Sequence, residues 1–176
     1  MHTKRVIKII GLTILSIIIL IIILLITLFL IRLFSHREVD DISPQIPCSA
    51  DIIKKSGVLW VIPEFNGIPI SQNKSWCNYI ISLNKTLGMH GIKHKYNEFA
   101  GNISEQELIR GMQEFEICFN QKPKLFKAPQ LELSKENKIL LEKNNLVVKW
   151  YFNQLTHKVY HCNNGDKFSN EFIDRF

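Results

Sequence analysis

Two histidines separated by three residues, His90 and His94, are the side chains whose types and spacing most directly suggest chemistry. Two imidazoles at this spacing can converge on one divalent cation. Gly88 and Gly91 disfavour a helix here, because each glycine costs about 1 kcal/mol in a helix interior. We therefore expect the two rings where a strand runs into a loop. An isolated pair of this kind more often lies on the surface or in the core than at a metal. The rest of the sequence must therefore show whether His90 and His94 bind one.

The chain after residue 37 alternates short apolar runs with helical stretches, which predicts βαβ units around a parallel sheet. Residues 38–176 are too few for a full eight-stranded barrel, which takes about 250 residues. We therefore expect an α/β domain that forms a short, incomplete (β/α) barrel or a curved parallel sheet. The predicted strands are 37–42, 58–62, 86–89, 125–128 and 146–152, and the predicted helices are 74–85, 104–119 and 134–144.

Several of these strands end at side chains that can bind metal or transfer protons. The carboxyl ends of parallel strands meet on one side of a sheet, where open sheets and barrels build their sites. We therefore expect these side chains to lie together, although two adjacent carboxylates alone would indicate only a solvated turn. The side chains are Asp40, Asp41, His90, His94, Lys127 with Pro129, and either His157 or His161.

An uncharged run of 23 residues, from Ile9 to Ile31, consists almost wholly of Ile and Leu. As a helix it would exceed the roughly 30 Å hydrocarbon core of a bilayer. A cleavable signal peptide would instead have an apolar region of about 7 to 15 residues that ends in small side chains. We therefore predict a cytoplasmic N-terminus over residues 1–8, a transmembrane helix over 9–31, a juxtamembrane linker over 32–37 and an extracytoplasmic domain over 38–176.

The charge distribution favours this orientation and argues against nucleic acid as a partner. Three basic residues precede the span, whereas acidic residues follow soon after it. Residues 1–37 hold 5 of the 22 Lys and Arg and none of the 16 Asp and Glu, which leaves 17 − 16 = +1 for the domain. A nearly neutral domain binds a phosphate backbone poorly. The sequence indicates no protein partner.

All four cysteines lie after the predicted span, which suits disulfides in an oxidising compartment. None of them has the Cys-x2-Cys spacing of a structural zinc site. The four residues allow three pairings, among which the sequence does not choose. They are Cys48, Cys77, Cys118 and Cys162.

The domain carries four motifs in a fixed order: Asp40-Asp41-Ile-Ser-Pro44, Val61-Ile-Pro63, His90-Gly-Ile-Lys-His94 with Glu98-Phe99, and Phe126-Lys-Ala-Pro129. In this order they resemble the motifs of polysaccharide deacetylases of the NodB-homology, carbohydrate esterase family 4 type. The closest resemblance is to a branch with a DD-x-SP opening. It covers nearly all of residues 38–162, and the combination is more specific than any single motif.

The resemblance implies a membrane-anchored hydrolase that uses a divalent metal to remove acyl groups, in particular N-acetyl groups, from a glycan. It implies that Asp40 is the general base. The metal would be Zn²⁺, or Co²⁺ or another divalent ion, and its implied ligands are Asp41, His90 and His94. A carboxylate and two imidazoles leave open positions on such an ion for a water and a substrate carbonyl.

The resemblance also implies roles for residues around this centre. A late histidine would be the general acid, and we favour His161 over His157 because the Cys-Asn-Asn-Gly turn after it would leave it at the mouth of a loop. Lys127 and Pro129 would contact substrate. Glu98 would either hydrogen-bond a ligand histidine or be an ordinary surface acid.

Two departures from the family pattern keep other functions open. Lys127 stands where the family has arginine, so the two parallel hydrogen bonds that arginine can make to a carboxylate are lost. Gln130 stands where the family has an aromatic residue, so the ring on which a sugar could stack is also lost. A second hypothesis is therefore an inactive, deacetylase-like domain that binds glycans. A third is a structural or interaction protein in which His90 and His94 are incidental. Four aromatic residues could line a carbohydrate groove, but at their spacing we expect them in the core or packed against helices: Trp60, Trp76, Trp150 and Tyr151.

Overall fold

The structure, a computed structural model, describes residues 2–149 and 158–162. Its first element is helix α1 (His2–Phe34), which is long and apolar enough to cross a membrane. The helix extends beyond the predicted span of 9–31 at both ends, because the flanking lysine and arginine residues also favour helix. Strand β1 begins at Arg37, so the segment 32–37 is divided between the end of α1, a two-residue link and the start of the sheet.

The described residues after α1 form one six-stranded sheet in which every paired strand is parallel to its neighbours. Its strand order is β5-β4-β3-β2-β1-β6. The strands are β1 (Arg37–Ile42), β2 (Val58–Val61), β3 (Thr86–His90), β4 (Leu125–Lys127), β5 (Val147–Val148) and β6 (Lys158–His161). The predicted strand 146–152 is seen at 147–148, and residues 150–152 lie outside the described chain.

This strand order is that of a (β/α) barrel opened at one seam. Strands β1 to β5 are neighbours in chain order, and β6 pairs with β1 as the last strand of a closed barrel would. Strands β5 and β6 form the two edges of the described sheet. The prediction of a short, incomplete barrel with a parallel sheet is thereby confirmed.

Helices connect most of the strands: α2 (Ala50–Lys55), α3 (Lys74–Ser82), α4 (Glu105–Phe119) and α5 (Lys135–Lys143). Serines cap the amino ends of α4 and α5, since Ser104 accepts the N–H of Glu107 and Ser134 accepts that of Asn137. Helix α2 and strand β6 were not predicted. Helix α2 has only six residues, and only two of the four residues of β6 are apolar, so neither shows a recognisable pattern.

One tight packing contact fixes the middle of the sheet. The indole of Trp60 on β2 lies across Gly88 on β3, where an added Cβ would come within 2.3 Å of the ring. Trp60 is 1% exposed, so its predicted place in the core is confirmed. Trp76 is only partly buried and packs against the core. A side chain at position 88 would displace Trp60, which also holds part of the site.

The structure contains two disulfides, Cys48–Cys162 and Cys77–Cys118, and leaves no cysteine free. The first links the segment after β1 to the residue that follows β6. The second joins α3 to α4. These bonds select one of the three pairings that the sequence allows, and the first lies next to His161.

Candidate metal centre and active site

Three predicted ligands converge at the carboxyl ends of β1 and β3. Asp41 lies in β1, His90 is the last residue of β3, and His94 lies in the loop that follows. One carboxylate oxygen of Asp41, Oδ1, is 3.5 Å from Nε2 of His90 and 2.9 Å from Nε2 of His94. One ligand atom from each residue lies within 4.8 Å of the others. The side chains are therefore close enough to share one ion.

A bulge in β1 brings two consecutive aspartates to this centre. Between Val39 and Ile42 the pairing with β2 shifts register, and Asp41 adopts a positive φ of 65°. In a regular strand the side chains of Asp40 and Asp41 would point to opposite faces. An extra residue on one strand re-aims the side chains beside it. Both carboxylates are consequently buried near the same centre.

Left-handed backbone recurs at residues around the site. His94 has a φ of 58°, and Gln130 and Leu131 have values of 52° and 60°. Such conformations are uncommon for residues other than glycine and cost on the order of 1 kcal/mol or more each. They persist only where surrounding contacts hold them, and they cluster at functional sites in other proteins.

The ring of His90 is oriented by a backbone acceptor that the sequence analysis missed. Its Nδ1 lies 3.1 Å from the carbonyl oxygen of Lys127, its partner in the β3–β4 ladder. An Nδ1–H that donates to this carbonyl leaves the Nε2 lone pair facing Asp41. Ligand histidines are commonly fixed in this way. No side-chain pattern could have indicated the contact, because the acceptor is main chain.

Glu98 holds the backbone of the histidine loop and not the ring of a ligand. Its carboxylate accepts the N–H groups of Ile92, Lys93 and His94 at 3.0, 2.7 and 3.1 Å. The loop can approach this closely because residue 91 is glycine, with a φ of 66°. An added Cβ there would lie 2.4 Å from the Glu98 carboxylate.

Pro129 belongs to the support of the same loop. It is buried, and a Cβ at Gly91 would meet its ring at 2.5 Å. Its neighbours Ala128 and Gln130 line the adjacent pocket. The structure therefore places Pro129 against the histidine loop, between two residues that line a pocket.

The donor set fits a divalent cation. Asp41 is 5% exposed, and its Oδ1 accepts no hydrogen bond although two imidazoles approach it. A buried acceptor without a donor costs about 1–3 kcal/mol, a deficit that a bound cation would remove. Burial raises the pKa of Asp41, but contacts with the imidazoles of His161, His90 and His94 outweigh it and hold the pKa well below its usual range. An ionised carboxylate with two histidines is typical of catalytic zinc sites.

The second aspartate of the site, Asp40, pairs with the ammonium of Lys127. Nζ of Lys127 lies 2.8 Å from Oδ1 of Asp40 and 3.7 Å from Oε2 of Glu38. The same Glu38 oxygen accepts the indole N–H of Trp60 at 2.8 Å, and the ammonium lies 5.6 Å from the Trp60 ring centroid. Glu38 was missed by the sequence analysis. Its position two residues before Asp40, on the same face of β1, was the available signal.

His161 reaches the site from β6, where it pairs in register with Asp40. Its Nδ1 is 3.3 Å from Oδ2 of Asp41 and 4.0 Å from Oδ2 of Asp40. The hydrogen bond with Asp41 raises the pKa of His161 and outweighs the opposite effect of burial. His157, the alternative candidate, lies outside the described residues.

A pocket of about 220 Å³ opens between these groups. Asp40, Lys127 and two imidazoles line it. Gln130 is exposed at its edge and accepts the backbone N–H of Asn97 at 3.2 Å. The pocket can admit a small polar group to the carboxylate of Asp40. The residues that line it are Asp40, His90, Lys127, Ala128, Gln130, Leu131 and His161.

No family model and no curated protein matches the chain. Solved structures do match. A family 4 carbohydrate esterase from Streptomyces lividans, in complex with acetate, is 14% identical with a TM-score of 0.49, over 67% of this chain and 62% of that one. A family 4 pseudoenzyme from Bacillus anthracis is 17% identical with a TM-score of 0.43, over 52% of this chain and 31% of that one.

A peptidoglycan N-acetylglucosamine deacetylase is 13% identical with a TM-score of 0.48, over 66% of this chain and 55% of that one. Two of these three structures are members of carbohydrate esterase family 4. That is the family whose motifs the sequence resembles. The chain spans about a third of the first pseudoenzyme structures that it matches. At this level of similarity, only the chain's own residues can support a function.

Replacing Glu98 by Gln should lower the affinity for Zn²⁺ or Co²⁺ about 10- to 100-fold, the usual effect of disturbing a group that orients metal ligands. The amide would turn a donor toward three backbone N–H groups and loosen His94. Calorimetric titration of the metal-free chain measures the change. Glu132→Gln alters an exposed acid of the same side of the domain and should leave the affinity unchanged. Equal affinities for both variants would contradict this role of Glu98.

Metal affinity should fall as the pH is lowered. Burial lowers the pKa of His94, but the contact with Asp41 and the negative charges of Asp41, Glu98 and Asp40 together outweigh burial and raise it. Protons therefore compete with the metal for the His94 ring at a higher pH than they would for an ordinary imidazole, whose pKa is near 6.5. Affinity should be full above the raised pKa and drop by about tenfold per pH unit below it for each proton displaced. Titration with Co²⁺ between mildly alkaline and mildly acidic pH measures this, and a constant affinity would contradict it.

Removing the Cys48–Cys162 bond should loosen His161 as well as destabilise the chain. A Cys48→Ser, Cys162→Ser variant opens a link across 114 residues, worth about 5 kcal/mol in the chain-entropy estimate. The control, Cys77→Ser with Cys118→Ser, opens a link across 41 residues, worth about 4 kcal/mol.

Chemical denaturation in detergent should therefore show similar losses for the two disulfide variants. Nuclear magnetic resonance of the metal-free chains should separate them. The raised pKa of His161 should return toward its ordinary value only when Cys162 is released. The same His161 pKa in both variants would show that the disulfide does not position this histidine.

Proposed function

We propose that this chain is a membrane-anchored, metal-dependent hydrolase that removes acyl groups, in particular N-acetyl groups, from a glycan. The observation that carries the proposal is the buried Oδ1 of Asp41, which lies between two imidazoles and accepts no hydrogen bond. A second buried carboxylate, that of Asp40, lies next to it with its own cation. A solvated turn or a pair of incidental histidines would not need this arrangement.

In this proposal Asp41, His90 and His94 hold a divalent ion, Zn²⁺ or Co²⁺. When bound, the ion would polarise the acyl carbonyl and lower the pKa of a water toward ~7. The carbonyl of Lys127 and the carboxylate of Glu98 keep the two histidines in position, one through its ring and the other through its backbone.

Asp40 accepts the proton of the attacking water. It borders the pocket, and the ammonium of Lys127 at 2.8 Å fixes its orientation and neutralises its buried charge. Oδ1 faces Lys127, so Oδ2 is the oxygen that takes the proton. A positioned general base of this kind contributes about 10²- to 10⁴-fold to a rate.

His161 delivers a proton to the leaving amine. It lines the pocket from the strand next to Asp40, and Nδ1 is engaged with the carboxylates. Nε2 is then the ring nitrogen that meets the leaving group. Base and acid thus stand on neighbouring strands, in register with each other.

A second candidate function is glycan binding without turnover. The ammonium of Lys127 donates a hydrogen bond to one oxygen of Asp40, where an arginine could form two parallel hydrogen bonds. Gln130, at the edge of the pocket, offers no aromatic face for a sugar ring. Both features weaken catalysis more than they weaken metal binding.

The cellular placement is also a proposal. Helix α1 is long and apolar enough to span a bilayer, and two disulfides are typical of an oxidising compartment. We infer a cytoplasmic N-terminus and an extracytoplasmic domain. A protease added outside intact cells should then digest the domain, and protection until the cells are lysed would contradict the orientation.

Acetate release from short N-acetylated glycan fragments tests the proposed activity. The full chain in detergent should release acetate with added Zn²⁺ or Co²⁺ and lose the activity with a chelator. Fragments that bind to the metal-loaded chain without acetate release across a range of pH would favour the second candidate. A chain that binds neither metal nor fragments would favour a structural or interaction protein.

A further inference from the structure

Helix α1 leaves the domain on the side opposite the candidate site. Only Ser35 and His36 separate it from β1, and the side chain of Arg32, in its last turn, is buried. Nζ of Lys158, at the start of β6, donates to the carbonyl of Leu33 at 3.4 Å. Residues 5–27 of the helix are exposed, so it projects away from the sheet. The amino ends of β1 and β6 therefore lie at the base of α1.

The candidate site lies at the other ends of the same strands. Because the strands are parallel, their carboxyl ends share one side of the sheet, where Asp40, His90 and His161 lie. Arg37 is separated from Asp40 by about 10 Å of extended chain. If α1 spans a bilayer, the amino ends of the strands face that bilayer and the site faces away from it.

The side that faces the bilayer carries positive charge without acids in its connecting segments. The helix-to-strand connections 56–57, 83–85, 120–124 and 144–146 contain three lysines and no aspartate or glutamate, and two further lysines end α2. The strand-to-helix connections on the site side, 43–49, 62–73, 91–104 and 128–134, contain two lysines and three glutamates. We call the lysines on the side that faces the bilayer, together with Lys158 at the start of β6, the basic underside. They are Lys54, Lys55, Lys85, Lys122, Lys124 and Lys158.

We propose that this basic underside binds the anionic lipid headgroups of the bilayer that α1 spans. The proposal rests on the proposed membrane anchor. Lysines close to an anionic surface each strengthen association about fivefold, and the anchor removes the cost of bringing domain and surface together. Bound in this way, the domain presents its pocket outward, toward a polymer beyond the headgroups and not toward a lipid-linked substrate within them.

Lysine labelling of the full chain in lipid nanodiscs tests the proposal. One set of discs contains only phosphatidylcholine and the other also contains phosphatidylglycerol. An amine-reactive reagent should label Lys122 and Lys124 about fivefold more slowly in the anionic discs, and high salt should abolish the difference. Lys74 and Lys135, exposed at the site-side ends of α3 and α5, should react equally in both.

Matched variants sharpen the test. Lys122→Gln with Lys124→Gln should weaken the protection of Lys54 and Lys55, whereas Lys74→Gln with Lys135→Gln should not. Equal labelling of the underside in both kinds of disc, or equal protection of the two sides, would overturn lipid binding while leaving the anchor and the hydrolase intact. A chain that does not insert into discs would overturn the anchor as well, and acetate release in detergent would still report separately on the hydrolase.

Discussion

Asp40→Asn should reduce acetate release by about 10² to 10⁴ while the metal stays bound. The substitution keeps the size of the side chain but removes its negative charge and its ability to accept a proton. Lys127 can still donate to the amide oxygen, so the buried contact at 2.8 Å is retained. The loss should appear in kcat and not in KM, because Asp40 acts on the attacking water.

Parallel measurements keep this result interpretable. The metal content of Asp40→Asn should match that of the parent chain, whereas its thermal stability should fall, because the buried ammonium of Lys127 loses the charge of its nearest partner. His161→Ala should show the same pattern, with metal retained and turnover lost, if it protonates the leaving amine. Full activity in Asp40→Asn would contradict its role as the base. Loss of metal in the same variant would show that the two aspartates have not been assigned correctly.

Asp41→Asn should lose metal and activity together. Its Oδ1 is the only carboxylate oxygen proposed to bind the ion, and an amide oxygen is a much weaker ligand for Zn²⁺. The variant should also be less sensitive to chelators in thermal unfolding, because a bound ion stabilises the native state by mass action. A chain that keeps stoichiometric metal and turnover after Asp41→Asn would contradict the ligand set.

The two aspartate variants are each other's control. They differ by one position in the same strand, and both side chains are buried, so a general loss of folding would affect them alike. Separate phenotypes, one with metal and one without, follow from a division of roles between the carboxylates. Identical phenotypes would favour a site that only maintains the structure.

Much of the fold is visible in the sequence because strand periodicity and strand ends are local properties. The predicted first strand, 37–42, coincides with β1, and four other predicted strands overlap β2 to β5. Parallel pairing then places the ends of these strands together without further information. This is why Asp40, Asp41 and His90 could be expected to meet before any coordinates were known.

The remaining features depend on contacts that no local pattern records. His90 is oriented by a main-chain carbonyl, and Glu98 binds backbone N–H groups of the loop that precedes it. The bulge that turns Asp41 toward Asp40 has no side-chain signature. Disulfide pairing likewise depends on which segments the finished fold brings together. Strand β6 was missed because only two of its four residues are apolar, whereas all four residues of β2 are.

Elemental analysis of the purified full chain tests the metal centre most directly. The proposed ligand set predicts about one divalent ion per chain, its loss in a His90→Ala, His94→Ala double variant, and its retention in His36→Ala, which changes an exposed histidine at the opposite end of the sheet. The same metal content in all three proteins, or none in the parent chain after Zn²⁺ or Co²⁺ is supplied, would contradict it.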